Sequence, residues 1–133
     1  MCFPLYAASK EIVKLYRPYL DEIDLTYTQY ITMMVLWEEK HICVKDLGKK
    51  LFLDSGTLTP VLKSLEAKGF ITRTRSSEDE RMLFADLTEK GLQLREKALS
   101  IPENMMACVS LDPQDAKMLY VLCNKLLQGF SEK

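Results

Sequence analysis

The sequence predicts a mainly α-helical fold with a small β-hairpin, and three observations support this prediction. Apolar residues recur at three- and four-residue intervals near both ends of the chain and in four shorter segments between them. Two short runs rich in β-branched and aromatic residues, 70–75 and 82–87, flank a polar loop, as is typical of a hairpin. Residues that commonly begin a helix precede several of the helical segments.

The first three helices follow from apolar spacing and local breakers. The first covers residues 5–20 and is expected to bend or end around Pro18, because proline removes a helical hydrogen bond. The second covers residues 26–37 and is capped near Thr26 or Thr28, while a short third helix covers residues 44–51.

The later helices carry clearer start and stop signals. Asp54 or Ser55 caps the fourth helix, and Gly69 ends it where a left-handed residue is wanted. Thr88 caps a fifth helix, which should break or kink at Pro102. The last helix starts at the segment Asp112-Pro113-Gln114-Asp115.

The start of the fourth helix is the most informative stretch of the chain for function. Its first turns are small and hydroxyl-bearing, and a basic residue follows; these candidate DNA contacts are Ser55, Gly56, Thr57, Thr59 and Lys63. Hydroxyls and exposed N–H groups at a helix N-terminus suit phosphate oxygens and base edges. An ordinary solvated helix start is the simpler alternative.

The loop at 76–81 is the second candidate DNA contact. A short helix, a turn, a second helix and a hairpin with a charged tip together describe a winged helix-turn-helix. Arg81 is expected to enter the minor groove, with Asp79 holding its guanidinium, while Arg73 and Arg75 add positive charge. A plain surface ion pair between Asp79 and Arg81 remains the alternative.

Length, charge and cysteine content limit the class of protein. The 133 residues are enough for one domain with a real core, and the net charge is only −1. Residues 45–75 nevertheless carry a local charge of +4, which suits localised contact with double-stranded DNA. The four cysteines lack zinc-site spacing, so no metal or other cofactor is expected. The absence of a leader-like or membrane-spanning apolar run predicts a cytoplasmic location.

The two terminal segments predict a homodimer. Residues 1–25 and 100–133 lie outside the DNA-binding region at 26–90, and their apolar stripes are too extensive for its small core. Packing against a second copy would bury them and would place two recognition helices about one DNA turn apart, as a palindromic operator requires.

Four segments resemble the MarR family of bacterial transcription regulators, and more narrowly its organic-hydroperoxide-sensing OhrR branch. They read CFPLYAASKE (2–11), YRPYLDEIDLTYTQY (16–30), LFLDSGTLTPVLKSLE (51–66) and RSSEDERMLFADLTEKG (75–91), and they cover most of the chain. The resemblance implies that Cys2 is the peroxide-sensing cysteine. It also implies that Tyr16 and Tyr27 hydrogen-bond its thiolate across the dimer interface, with Tyr6 nearby. Cys108 lies near the place of a resolving cysteine in some members of the branch, with buried structural cysteine as the alternative.

The implied chemistry is physically reasonable. A thiolate attacks the O–O bond of a peroxide, and both a helix N-terminus and phenol donors favour the anion. Oxidation gives a sulfenic acid, which can condense with a second thiol. Loss of the thiolate would remove the acceptor of the tyrosine hydrogen bonds, and the dimer would then bind its operator more weakly.

Three other functions compete with a peroxide-released repressor. A regulator of the same family could instead respond to a small aromatic ligand in a cleft, with Cys2 incidental. A broader thiol-based regulator would share the sensor and differ in its target genes. A thiol peroxidase is the alternative from a different class, although the sequence devotes a whole module to DNA and shows no further activating residues around the cysteine.

Overall fold

The structure, a computed structural model, describes residues 1–131 of the chain. Within these residues lie seven helices and a three-stranded sheet. The helices are α1 (Cys2–Asp21), α2 (Tyr27–Glu39), α3 (Val44–Leu51), α4 (Ser55–Ala67), α5 (Glu89–Ala98), α6 (Ile101–Cys108) and α7 (Pro113–Ser131). The strands are β1 (His41–Cys43), β2 (Ile71–Arg75) and β3 (Leu83–Leu87). The chain divides into two compact units, Met1–Pro102 and the residues from Glu103 onward.

The first unit has its core between α2, α3, α4 and the sheet. The largest of the fully buried side chains there come from four helices and one strand and are Leu20, Thr32, Met33, Leu36, Leu47, Leu58, Leu62, Leu65 and Ile71. The second unit contains α7, which has no buried residue within this single chain. None of the helices within residues 1–131 is long and apolar enough to cross a membrane.

Three predicted helix caps are confirmed. The Thr26 hydroxyl accepts the Gln29 backbone N–H while the Gln29 side chain accepts the Thr26 N–H, so α2 begins with a complete capping box. The Asp54 carboxylate accepts the Thr57 N–H at 2.8 Å and thereby caps α4. Thr88 caps α5 through the N–H of Gly91.

Two helix boundaries were predicted near prolines. The first helix ends at Asp21, three residues after Pro18 and one residue beyond the predicted end, and it starts earlier than predicted, at Cys2. Pro18 lies in the last turn, where few further helical bonds are left to disturb. The break near Pro102 is confirmed, because α5 ends at Ala98 and Pro102 is the second residue of a separate short helix, α6.

The sheet has one strand more than the predicted hairpin. β3 lies in the centre and pairs antiparallel with β2 on one side and with β1 on the other. Ile42 pairs with Ala85, and Arg73 also pairs with Ala85 from the other strand. At three residues, β1 is too short to show an alternating pattern, so the sequence alone did not reveal it.

An ion pair joins the end of α4 to β2. We call β2, β3 and the loop at 76–82 between them the wing. The Glu66 carboxylate accepts the Arg73 guanidinium at 3.0 Å and the Arg73 backbone N–H at 3.0 Å. These bonds hold the pKa of the Glu66 carboxyl below its usual range. Gly69 ends the helix between them with a φ of +84°, as predicted.

Gly91 marks the closest approach of α5 to the rest of the first unit. A Cβ placed there would lie 2.2 Å from the Phe70 carbonyl oxygen, and the Gly91 carbonyl accepts the Trp37 indole N–H at 2.8 Å. Only a residue without a side chain fits between these two contacts.

Gly91→Ala should therefore lower the free energy of unfolding by at least about 2 kcal/mol, since the added methyl must push backbone apart in a packed interior. Urea denaturation followed by circular dichroism measures the change. Gln93→Ala, at an exposed position of the same helix, is the matched control and should be close to neutral. Equal stability of the two variants would refute the close packing at Gly91.

Glu66→Gln should destabilise the protein at neutral pH but not in strong acid. Because the folded-state pKa is depressed, the contribution of the carboxylate is present above the ordinary pKa of 4.5 and is lost as the pH falls through the folded value. Denaturation midpoints of wild type and variant, measured along a pH series, should converge in acid. Glu96→Gln on α5 is the exposed control, and a gap independent of pH would contradict the prediction.

Candidate DNA interface and thiol sensor

The recognition surface lies on the side of α4 that faces away from the core. Leu58, Leu62 and Leu65 bury the opposite side of the helix. The predicted contacts on α4 are all exposed, namely Ser55, Gly56, Thr57, Thr59 and Lys63. The helix thus presents small polar groups and one cation to solvent while its orientation is fixed by leucines.

The N-terminus of α4 is already partly occupied by its cap. Asp54 accepts the Thr57 N–H, and backbone hydrogen bonds from Thr57 and Gly56 help to hold the pKa of its carboxyl below the ordinary value. The permanent negative charge offsets the positive end of the helix dipole. The groups at this end that stay exposed are the side chains of Ser55, Thr57 and Thr59, whose role as DNA contacts is a prediction.

The tip of the wing is organised by backbone hydrogen bonds. The Ser76 hydroxyl accepts the N–H groups of Glu78 and Asp79, and the Asp79 carboxylate accepts the Arg81 N–H at 3.0 Å. The expectation that Asp79 holds the Arg81 guanidinium is therefore wrong, because its carboxylate binds the backbone instead. The guanidinium of Arg81 remains exposed and has no ion-pair partner within residues 1–131.

The other two arginines of the wing are engaged within the chain. The Arg75 guanidinium donates to the Glu80 carbonyl at 2.9 Å across the loop. Arg73 is bound to Glu66, and its side chain is only 21% exposed. Arg81 is consequently the wing arginine most available to a nucleic acid.

The basic patch predicted at 45–75 is smaller in the folded chain than in the sequence. Besides Arg73, Lys68 binds Asp24 and Gln29, and Lys50 pairs with Glu39 at 3.6 Å. The cations of the segment that remain exposed without an ion pair in the described part of the chain are Lys45, Lys49, Lys63 and Arg75, and the Arg75 guanidinium donates to the Glu80 carbonyl.

Cys2 occupies the first position of α1 and is exposed. Met1 provides no side-chain cap, and the first turn of this 20-residue helix contains no acidic residue. Tyr6, one turn later, is also exposed, and the Lys10 ammonium lies 5.2 Å from the centre of its ring.

Tyr16 and Tyr27 form an aromatic cluster together with Tyr30. The ring centre of Tyr16 lies 5.1 Å from that of Tyr27 and 5.8 Å from that of Tyr30, and Tyr30 contacts Trp37 at 6.4 Å. Burial raises the pKa of all three phenols above the ordinary 10.0, and repulsion between neighbouring phenolates adds to the rise for Tyr16 and Tyr30. The three hydroxyls are therefore protonated at neutral pH and can act as donors.

The sequence analysis missed Tyr30 as a member of this cluster. Its spacing of three residues from Tyr27 places both on one side of α2, and this signal could have identified it. Within its own chain, none of Tyr16, Tyr27 and Tyr30 hydrogen-bonds Cys2 in the part that the structure describes. A single copy therefore does not bring the predicted sensor residues together.

The remaining cysteines differ in exposure. Cys108 is exposed at the C-terminal end of α6, whereas Cys43 and Cys123 are half-buried. The side chain of Cys123 is thus not fully enclosed by its own chain. No group of three or more His, Cys, Asp or Glu side chains within residues 1–131 is placed to hold a metal ion.

Comparison with known proteins places this geometry in a family. Residues 14–98 match the family described as "Transcriptional regulator SarA/Rot". The chain is 45% identical over 133 residues to the organic hydroperoxide resistance transcriptional regulator of Bacillus subtilis, an alignment that covers 100% of this chain and 90% of that protein. It is 44% identical over 133 residues to the HTH-type transcriptional regulator SarZ of Staphylococcus saprophyticus, covering 100% of this chain and 88% of that one.

The same likeness holds in three dimensions. The crystal structure of AbfR of Staphylococcus epidermidis superposes with a TM-score of 0.79 at 32% identity, covering 99% of this chain and 91% of that one. The winged helix-turn-helix fold is therefore shared with known regulators. The chain belongs to the SarA/Rot family of MarR-type proteins and is a DNA-binding transcriptional regulator, not an enzyme.

Proposed function

We propose that this protein is a homodimeric repressor that leaves a palindromic operator when an organic hydroperoxide oxidises Cys2. The observation that carries the proposal is an exposed cysteine at the first position of an uncapped helix, in a chain whose tyrosine cluster supplies neutral phenol donors. The relative from Bacillus subtilis is named for organic hydroperoxide resistance, which supports this class of oxidant. A repressor of this kind acts where the chromosome lies, in the cytoplasm.

The different states of AbfR support a redox-dependent DNA contact. AbfR has been solved reduced and bound to DNA, and also in a disulfide form. AbfR has also been solved overoxidised and bound to DNA, and the present structure gives TM-scores of 0.79 with the reduced DNA-bound form, 0.78 with the overoxidised DNA-bound form and 0.69 with the disulfide form.

The terminal helices support dimerisation. In the second unit, large apolar side chains of α7 are exposed, namely Met118, Leu119, Tyr120, Val121, Leu122, Leu126 and Leu127. At the start of α1, Met1, Phe3 and Leu5 are exposed as well. Contiguous exposed apolar surface on a helix indicates an interaction site. We propose that a second copy covers these exposed side chains and brings the tyrosine cluster of one copy to Cys2 of the other.

The sensing reaction is a two-electron oxidation of the Cys2 sulfur. The thiolate attacks the terminal oxygen of the hydroperoxide, an S–O bond forms, and the O–O bond breaks. The departing alkoxide takes a proton and leaves as the alcohol, while the sulfur becomes a sulfenic acid. Condensation with a second thiol then releases water and gives a disulfide.

The second thiol comes from Cys108 of the partner copy or from a small external thiol. Cys108 is exposed and lies at a helix end, so a change of conformation there disturbs few core contacts. In either case the sulfur loses its negative charge, and the phenols of Tyr16 and Tyr27 lose their acceptor. The dimer interface then repacks. This changes the distance between the two recognition helices and weakens operator binding.

Cys2→Ser should still bind the operator, because the serine oxygen can accept hydrogen bonds from the phenols, but it should not be released by cumene hydroperoxide, because an alcohol does not attack the peroxide bond. Fluorescence anisotropy of labelled operator DNA measures release, and non-reducing mass spectrometry of the same samples locates the oxidised sulfurs.

Cys43→Ser, at a half-buried position of β1, is the matched control and should respond to the oxidant like wild type. Release of Cys2→Ser by the hydroperoxide would exclude Cys2 as the trigger. Release of both variants by a phenolic compound without any change at sulfur would instead favour a regulator that binds an aromatic ligand.

Arg81→Ala should weaken operator binding by about 1–3 kcal/mol, the scale of a good specific contact, because the exposed guanidinium enters the minor groove. Binding isotherms at several salt concentrations separate this specific contact from general attraction to phosphates. Arg95→Ala, exposed on α5, is the control of equal charge. An affinity for Arg81→Ala equal to that of the control would remove Arg81 from the interface.

A further inference from the structure

We propose that Gln29 is a positioning residue that couples the tyrosine cluster to the recognition helix α4. The inference deepens the proposed function, because it names the contact through which a change at the sensor moves the DNA-binding surface. The contact is the hydrogen bond between the side chains of Gln29 on α2 and Ser64 on α4.

Gln29 is a buried polar residue whose amide is satisfied on both sides. Only 7% of the surface of this residue is exposed to solvent. Its Oε1 accepts the Thr26 N–H at 3.1 Å and the Lys68 ammonium at 3.1 Å, and its Nε2 donates to the Ser64 hydroxyl at 2.9 Å. Since Thr26 N–H and Lys68 can only donate, these partners fix the orientation of the amide.

The Gln29 side-chain amide takes part in two sets of hydrogen bonds, one at the start of α2 and one at the end of α4. It completes the capping box that starts α2, and it binds Ser64 in the C-terminal half of α4 and Lys68, the residue directly after that helix. The start of α2 and the direction of α4 therefore cannot change independently without leaving a buried amide unsatisfied, which is costly. A shared buried polar group of this kind favours discrete arrangements over gradual deformation.

The tyrosine cluster acts directly on this capping box. Tyr27 is the first residue of α2, directly after the Thr26 cap, and its ring packs against Tyr16 of α1. A change in the hydrogen bonding of the Tyr27 hydroxyl shifts the first turn of α2, in which Gln29 lies. The shift reaches Ser64 through one hydrogen bond and Lys68 through another.

Lys68, the second residue bound by the Gln29 side chain, also contacts the turn before α2 and helix α5. Its ammonium also lies 3.7 Å from the Asp24 carboxylate in the turn before α2, and its carbonyl accepts the Lys90 ammonium of α5 at 2.8 Å. The Ser64 bond is thus the contact that can be removed while the cap of α2 and the Lys68 anchor stay in place. Ser64→Ala is therefore the selective variant.

The test is a double-mutant cycle on operator affinity with reduced protein. Tyr27→Phe removes only the phenol hydroxyl and imitates its release from the sensor. In the wild-type background it should weaken operator binding at least about fivefold, the lower range of allosteric coupling. In the Ser64→Ala background the same substitution should change affinity by less than about twofold, because the connection to α4 is missing.

Ser64→Thr keeps the hydroxyl and should restore the response to Tyr27→Phe. Ser100→Ala, exposed in the turn after α5, should leave it unchanged. A purely structural role of Ser64 would lower affinity in both Tyr27 backgrounds by the same factor. Such an equal ratio, including no effect in either background, would overturn the coupling.

Adding cumene hydroperoxide to the same samples distinguishes this result from failure of the proposed function. Wild-type release with oxidation of Cys2, combined with weaker release of Ser64→Ala at equal oxidation, supports both proposals. A coupled cycle without any release of oxidised wild type supports the Gln29–Ser64 connection and rejects peroxide sensing. Equal release of wild type and Ser64→Ala at equal oxidation overturns the connection while leaving the sensor in place.

Discussion

The burial of the leucine face of α4 is the constraint on which the DNA-binding surface depends. Leu58, Leu62 and Leu65 are each no more than 1% exposed, and full burial of a leucine contributes about 1.5–3 kcal/mol. The helix therefore cannot rotate about its axis without exposing them. Its polar side is held outward by the core, so the hydroxyls and the lysine that we propose as DNA contacts need little rearrangement.

Two polar contacts also fix the angle of this helix relative to its neighbours. Glu66 ties its C-terminal end to Arg73 in β2, and Ser64 ties the preceding turn to Gln29 in α2. The apolar face sets which side of α4 is exposed, since hydrophobic burial is not directional. The hydrogen bonds set its angle, since they require particular distances and directions. The wing and the start of α2 thus both influence the presentation of the recognition helix.

The parts of the fold that could be predicted are those encoded by local chemistry. Thr26, Asp54 and Thr88 cap their helices as expected, because the N-cap interaction is made within three residues. Strand β1 and helix α6 were not predicted, because three residues show no alternation and a short segment around a proline shows little helical spacing. The sensor and DNA-contact residues came from resemblance and residue type, and their assignment remains a prediction.

The roles of charged residues were harder to predict from the sequence, because they depend on which residues each turn or loop brings together. Arg73 reads like a DNA-contacting cation, yet the turn at Gly69 returns it to Glu66. Asp79 lies two residues from Arg81, yet in a tight loop its carboxylate meets a backbone N–H first. Linear charge counts therefore overestimate the cations that a folded surface offers to a nucleic acid.

Placing the thiol and the phenols on one chain without contact has a consequence for the proposed sensor. Cys2 must be reachable by the oxidant, whereas the tyrosines stay neutral donors because they are partly buried. Both conditions are met in one copy, and in the proposed sensor the hydrogen bond between Cys2 and the tyrosines forms only when two copies meet. Sensing and binding to a palindromic operator then require the same dimer. A monomer that arose by dissociation would lose both properties together, so the regulator would not persist on DNA in a form unable to respond.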